Sequence, residues 1–444
     1  MSSESVETAI IGAGLAGLSA AYHVKNREYR LFEKEARPGG LCRTEQKGGF
    51  LFDYGGHILH FKDRHMRAWV KKLVGANSPD PSGLREHFRR ANIFSKGVLT
   101  HYPFQANTCG LPASVIRDCI AGFMEALLAA ERDPEQPDNF KDWILYNFGP
   151  GIARHFMLPF NRKFWRVPLK QITTEWVSWA VPRPALREVV DGALGIQDKN
   201  FGYNAAFLYP HRGGIEVLAQ ALARRVKGLE LNQEVVSVHP KKRTLMLSSG
   251  EDVRYRRLIS TMPLSELFLH IKSAPRQLRD AARRLRFLSV LCVNMGVKGK
   301  RVSQSHWIYF PEKNFEFYRA GFYSNLADSK STRQSLVLEI TRRPGTLEGS
   351  EDELALRAVR DFASAGFLSQ GQDLEYLGWM KIPFAYVIYD SFRAKWVPRL
   401  LEYLRDQNIF SIGRYGRWEY STMEDALKQG RDAALAGQAR GISR

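Results

Sequence analysis

The residues of this chain best placed for chemistry are glycines rather than acids and bases. Gly12, Gly14 and Gly17 follow a G-x-G-x-x-G spacing, and Glu33 comes about 20 residues later. In that pattern Gly12 permits a tight turn and Gly14 lets backbone N–H groups approach a pyrophosphate. Gly17 lets a helix pack close to the preceding strand. Glu33 stands where a carboxylate accepts hydrogen bonds from ribose hydroxyls. A glycine turn without a ligand is the alternative for so short a motif; the strand before it, the helix after it and the acid beyond weigh against that. Two Gly-Gly loops follow, Arg37-Pro38-Gly39-Gly40-Leu41-Cys42-Arg43-Thr44 and Phe52-Asp53-Tyr54-Gly55-Gly56-His57. They exceed what NAD needs and suit an extended FAD. No Ser-His-Asp set, metal-ligand cluster or carboxylate pair stands out, so the cofactor would carry the chemistry while the protein positions it and tunes its charge.

The elements that must hold these groups can be read from periodicity. Residues 8–11 and 29–32 read as buried strands around a helix that starts near Leu15. Residues 66–190 read mostly as helices, and 112–131 carries apolar residues at helical spacing. The chain then supplies an amphipathic helix over 215–226, a strand over 229–238, and further strands over 244–247 and 253–259. Residues 287–400 read as a mostly antiparallel sheet, with strands at 289–297, 306–310, 316–323 and 335–340. Residues 409–426 read as strand, loop and helix. The expected fold class is α/β. A discontinuous Rossmann-type FAD-binding domain comprises 1–65, 205–286 and 405–444. A mainly helical domain over 66–204 lines the substrate cleft, and 287–404 forms the antiparallel substrate domain.

At 444 residues the chain has room for two or three domains. Its net charge of +19 is spread over short clusters, none long enough for a disordered basic tail. A soluble Arg-rich surface is the plain reading, and a field that attracts anionic substrates or an acidic partner is the sharper one. No nucleic-acid recognition module accompanies the charge. The four cysteines, Cys42, Cys109, Cys119 and Cys292, have no metal-ligand or disulfide-framework spacing, which fits a reducing cytoplasm. No basic stretch precedes the apolar N-terminal run, and no apolar run reaches transmembrane length. A cytoplasmic protein is expected; a homo-oligomer is left open.

The opening Gly12-x-Gly14-x-x-Gly17, Glu33-Lys34 and Arg37-Pro38-Gly39-Gly40-Leu41-Cys42-Arg43-Thr44 resembles the flavin amine oxidase and protoporphyrinogen oxidase superfamily. Asp53-Tyr54-Gly55-Gly56-His57 is similar to the D-x-G-G-H of UDP-galactopyranose mutases, above all the eukaryotic type. Tyr102-Pro103-Phe104-Gln105-Ala106-Asn107, the segment from Phe156 to Pro168, Asn204-Ala205-Ala206-Phe207, Phe317-Tyr318-Arg319-Ala320 and Gly413-Arg414-Tyr415-Gly416-Arg417-Trp418-Glu419-Tyr420 resemble further mutase motifs. The resemblance implies non-covalent FAD, held by Gly12, Gly14, Ala16, Gly17, Glu33, Lys34, Gly39, Gly40, Leu41, Arg43, Gly55, Gly56 and His57. Val235, Gly413, Arg414, Tyr420, Ser421, Thr422 and Met423 complete that set. It implies substrate contacts from Phe104, Gln105, Trp165, Arg183, Asn204, Arg319 and Tyr386, and catalytic roles for His57, Arg319, Tyr386 and Tyr420. From the residues alone Gln105 reads equally as a surface amide, Trp165 as core, His57 as a structural loop histidine, and Arg319 as the partner of a surface carboxylate.

The activity implied is pyranose–furanose isomerisation of a nucleotide sugar, a UDP-sugar being favoured, in carbohydrate biosynthesis. Reduced flavin N5 is the nucleophile at the anomeric carbon, and NADPH or NADH is the reductant. One departure bears on the substrate. Ala180 fills the slot where the mutases carry a second diphosphate-binding arginine, and Arg183 stands three residues later between Pro182 and Pro184. The alternative is an FAD-dependent amine oxidase or protoporphyrinogen oxidase-like oxidoreductase, in which Lys298 or Lys300 would imitate a lysine linked to the flavin through water.

Overall fold

β1 (Ser5–Ile11) is an apolar strand buried at its C-terminal half, and it leads through the glycine turn into α1 (Leu15–His23). β2 (Tyr29–Phe32) returns parallel to β1, with Ile11 opposite Phe32. These coordinates are a computed structural model that describes residues 5–24, 28–75, 83–199, 201–202, 204–327, 331–346 and 349–436, the side chains of 178 and 179 left aside. On the other flank of β1 lies the parallel strand Asp252–Ser260, with Ile11 opposite Ser260, and Ile409–Ser411 runs parallel to the end of that strand. Three distant stretches of sequence therefore end their strands at one edge, where Gly12, Glu33, Thr261 and Ile412 follow. In open parallel sheets this carboxyl edge is where ligands bind.

The expected strand over 229–238 divides in two. Leu229–Glu230 pairs with β2, and Val235–His239 opens an antiparallel meander with Thr244–Leu247 and the start of Asp252–Ser260. Between them Asn232 takes a left-handed φ of 56°, and the loop stays tied to β2 through Gln233 N–H to Glu33 O at 2.8 Å.

A second sheet has the order Gln372–Val387, Phe287–Gly299, Arg333–Arg342, Arg319–Phe322, Trp307–Tyr309, Ala91–Ser95, Val98–His101. Phe287–Gly299, second from the edge, is buried along almost all its length between two long neighbours, as the continuous apolar run requires. The last two strands come from a region expected to be helical. Asn92 and Phe94 alternate with buried Ala91, Ile93 and Ser95, and Lys96-Gly97, both at positive φ, close the hairpin. Conversely, Ser391–Asp406, which overlaps the end of the expected sheet region, is a helix capped by Asp390, which accepts from Arg393 N–H at 2.8 Å.

Several helices connect these elements. Ala113–Arg132 lies against Phe140–Ile152. Leu158–Trp165 then carries Phe160 and Phe164 toward the sheet's tyrosines. No helix among the described residues is long and apolar enough to cross a membrane.

Candidate functional site

The glycines of the opening turn have different neighbours. A Cβ on Gly12, whose φ is +90°, would lie 2.2 Å from Thr261 Oγ1, and one on Gly17 would lie 1.9 Å from Gly12 O. Both are needed for packing. A Cβ on Gly14 would meet only Gly40 Cα, at 3.9 Å, so the turn is open on that side. The Gly39-Gly40 loop closes over it, Gly39 N–H donating to Ala13 O at 2.8 Å, while Arg43 holds Gly40 O at 2.8 Å and lies over Tyr54. Glu33 is buried and accepts from Ala13 N–H at 2.7 Å and Glu35 N–H at 3.0 Å.

The C-terminal block reaches the same edge. Gly413, at φ +78°, sits 3.1 Å short of the Ala16 side chain for any added Cβ, and its N–H donates to Gln429 at 2.7 Å. Thr422 and Asp425 bond reciprocally at the start of helix Met423–Ala436. Such an N-terminus offers partial positive charge to an anion.

Asp53 anchors the second glycine loop. It is buried and accepts from Thr44 Oγ1 at 2.6 Å, Tyr209 OH at 2.6 Å and Ile215 N–H at 3.2 Å. Burial raises its carboxyl to about 6 despite those donors. The loop beyond it leads to Glu339, 1% exposed, which accepts from Gly56 N–H at 3.1 Å. Glu339 also grips Arg319 through Nη2 at 2.8 and 2.7 Å and Nε at 3.1 Å, and it takes the Tyr318 hydroxyl. Tyr318 OH lies 3.3 Å from Tyr386 OH, and Tyr386 stacks on Tyr420 at 6.1 Å. Arg414 lies over Tyr420 at 4.4 Å and Tyr386 at 5.4 Å, holding Ala385 O and Ser421 O. His57 senses both arginines. Burial first, then Arg414, depress its imidazole to about 4, so it is neutral near pH 7.

The structure thus brings His57, Gly56, Arg319, Tyr386, Arg414 and Tyr420 into one cleft, walled by Phe160, Phe164 and Tyr309. Asn204 joins its rim by accepting from Arg89, which lies over Tyr102 at 4.5 Å. Val235 is buried two residues beyond the loop that bonds Glu33. Other expected contacts are buried behind these walls or are exposed. Phe104 and Trp165 are core: Phe104 stacks on Phe156 at 4.9 Å, and Trp165 packs between Phe164 and Trp176. Gln105 is buried, not a surface amide, and donates to Pro182 O at 2.7 Å. Arg183 is exposed on the loop after Ala180, and none of the described contacts joins it to Arg319. Lys34 is exposed, and Leu41 is partly covered. Lys298 and Lys300 are exposed; along an extended strand Lys298 lies roughly 20 Å from Cys292, the residue opposite Glu339. It pairs there with Glu375, at 3.8 Å.

Reading the sequence missed Glu339, Tyr318 and Arg89. Glu339 left a signal: it is the one charged residue within Leu336-Val337-Leu338-Glu339-Ile340, and a charge inside a buried strand demands a partner.

The residues fit an FAD. Gly14 leaves room where a pyrophosphate would pass, and the described residues give the buried His57 Nδ1 and Ser421 Oγ no hydrogen-bond partner.

Comparisons with known proteins agree. The family profile of flavin containing amine oxidoreductases matches residues 15–436. A crystal structure of reduced UDP-galactopyranose mutase superposes with a TM-score of 0.90 at 27% identity, over 98% of this chain and 94% of that one. Among sequence relatives, prenylcysteine oxidase 1 of Bos taurus is 37% identical over 17% of this chain, and prolycopene isomerase 2 of an Oncidium hybrid cultivar is 24% identical over 66%. The match spans 16% of the length of the first and 55% of the second.

Proposed function

The chain belongs to the family of flavin containing amine oxidoreductases, and from that premise we propose that it is an FAD-dependent nucleotide-sugar mutase. It interconverts pyranose and furanose rings of a UDP-sugar in the cytoplasm, with NADPH or NADH as reductant. The observation that carries this reading is the Arg319 guanidinium, fixed by buried Glu339 beside the Gly56 loop and facing a cluster of tyrosine hydroxyls. The likeness to reduced UDP-galactopyranose mutase along almost the whole chain supports it.

Gly12, Gly14, Gly17, Glu33, Gly39, Gly40 and Arg43 would hold the dinucleotide, and Gly55, Gly56, His57, Gly413 and the Met423–Ala436 N-terminus its flavin end. Bound there and reduced, FAD supplies a nucleophilic nitrogen for the anomeric carbon. Arg319 binds the diphosphate with a planar, permanently charged fork and keeps the leaving group close to the sugar. Burial raises the Tyr386 phenol, so it keeps its proton and donates to phosphate oxygen. Tyr420, stacked on it and lying under Arg414, gives a second phenol. Neutral His57 orients the glycine loop. Phe160, Phe164 and Tyr309 exclude water and strengthen these charge contacts. The long separation of Lys298 and Lys300 from the cleft weighs against an oxidase lysine, although prenylcysteine oxidase is among the relatives.

The test is product identity. The anaerobically reduced protein is mixed with UDP-galactopyranose and other nucleotide sugars, and furanose product without net oxidation is expected. Peroxide formation from amines with no ring isomerisation would replace the mutase with the oxidase.

A further inference from the structure

Helix Ala113–Arg132 has one face locked and one uncovered. Val115, Cys119, Gly122, Phe123 and Ala126 face inward. The backbone there is in close contact with helix Phe140–Ile152, since a Cβ on Gly149 would lie 1.8 Å from Gly122 O. The helix therefore cannot roll to hide its other side. On that side Met124 is 47% exposed, Leu127 40% and Leu128 57%, with Ile116 and Ile120 half-buried at the margin. At about 100° per residue, Arg117, Met124, Leu128 and Glu131 share the outward face.

Two charges on this face are placed symmetrically, while exposed Glu125 and Arg132 lie at its margin. Arg117 and Glu131 bracket the apolar stretch and stand equally far from Met124, seven residues on either side. That is roughly 10 Å each way at the helical rise. A face with opposite charges at equal distances from an apolar centre is complementary to itself turned through 180°.

We propose that two copies of this chain pair through this helix, antiparallel, about a two-fold axis at Met124. In that register Leu128 of one copy meets Ile120 of the other, and Arg117 meets Glu131 twice, as an isologous interface requires. A parallel arrangement would set Arg117 against Arg117. One edge of the Arg117 guanidinium is held by its neighbour Asp118, through Nη2 at 2.8 Å and Nε at 3.3 Å, which leaves Nη1 for an acid on the second copy in this register. The ion pairs are at the rim and set register, while the apolar residues supply the association.

The test is the mass of the full-length protein by sedimentation equilibrium across the micromolar range, with thermal melting as a check on folding. A dimer is expected. Leu128→Glu should raise its dissociation constant by at least about tenfold, and so should Arg117→Glu or Glu131→Arg alone, because each single reversal creates two like-charge contacts. The double variant Arg117→Glu/Glu131→Arg should restore the wild-type constant within about threefold. A wild-type monomer at every concentration overturns the proposal and leaves the face to another partner. A dimer indifferent to Leu128→Glu overturns it as well. Dimers weakened by both single reversals but not recovered in the double variant overturn the antiparallel register.

Discussion

Glu339 holds Arg319 with both carboxylate oxygens and takes the Gly56 N–H on one of them. One buried charge therefore fixes the group proposed to grip the diphosphate and the loop proposed to face the flavin. Removing it leaves Arg319 charged, mostly buried and unpaired, and breaking such a pair from one side costs about 3–5 kcal/mol. Glu339→Ala should lower the free energy of unfolding by that order in a urea titration. Glu339→Gln, which keeps an acceptor for Gly56, should lose less. Equal and negligible losses would mean that the pair does not organise the cleft.

Arg319→Lys keeps the charge and loses the fork. The proposed bidentate guanidinium–phosphate contact would become a single ammonium contact, for a loss of about 1.5 kcal/mol. UDP binding to the flavoprotein, followed by calorimetry, should weaken about tenfold, and the weakening should persist at high salt, since the geometry and not the field is lost. Unchanged affinity would remove Arg319 from the diphosphate site.

The ends of this site were legible in the sequence to different degrees. The half proposed to hold the dinucleotide was legible because each of its constraints is local: Gly12, Gly14, Gly17 and Glu33 lie within one strand–helix–strand unit whose spacing is set by backbone geometry. The Gly-Gly loops and the closing Gly413 could be placed by motif. The half proposed to hold the substrate was less legible because its partners are far apart in the chain. The tie of Gly56 to Glu339, and the pairing of Trp307–Tyr309 with Ala91–Ser95, arise only when distant strands meet. Phe104 and Trp165 show the converse. A motif match singled them out as substrate contacts, but both bulky aromatics turn inward and pack in the core. Gln372–Val387 escaped notice because its exposed first half lacks the apolar pattern that marks a buried strand.

Gly14 and Gly17 should respond oppositely to alanine. The methyl of Gly17→Ala would fall 1.9 Å from Gly12 O, a backbone atom that cannot move without opening the β1–α1 turn. That variant should be destabilised whether or not FAD is present. The methyl of Gly14→Ala would make only an ordinary van der Waals contact, 3.9 Å from Gly40 Cα. Its apoprotein should melt close to wild type, within about 1 °C since the half-buried methyl clashes with nothing, yet bind FAD far more weakly. Yellow, fully loaded Gly14→Ala protein would show that no pyrophosphate passes there.

His57 gives the fold an acid limit. Its folded pKa of about 4 lies below the ordinary 6.5, chiefly because burial disfavours the cation and secondly because of Arg414. The unfolded chain therefore takes up a proton that the folded chain refuses, and His57 contributes stability that is present above pH 6.5 and is lost as pH falls toward 4. Asp53 works the other way. Its carboxyl is raised by burial to about 6 from 3.8, so its contribution is full below 3.8 and is lost as pH rises through 6. His87 and His306, also depressed by burial, add to the His57 effect, so the wild-type profile alone does not isolate any one group. The comparison with His57→Asn does. Between pH 6.5 and 4 its unfolding free energy should fall less steeply than that of wild type, by up to about 1.4 kcal/mol per pH unit, the slope of one proton. Parallel profiles would mean that His57 is protonated in the folded state and makes no such contribution.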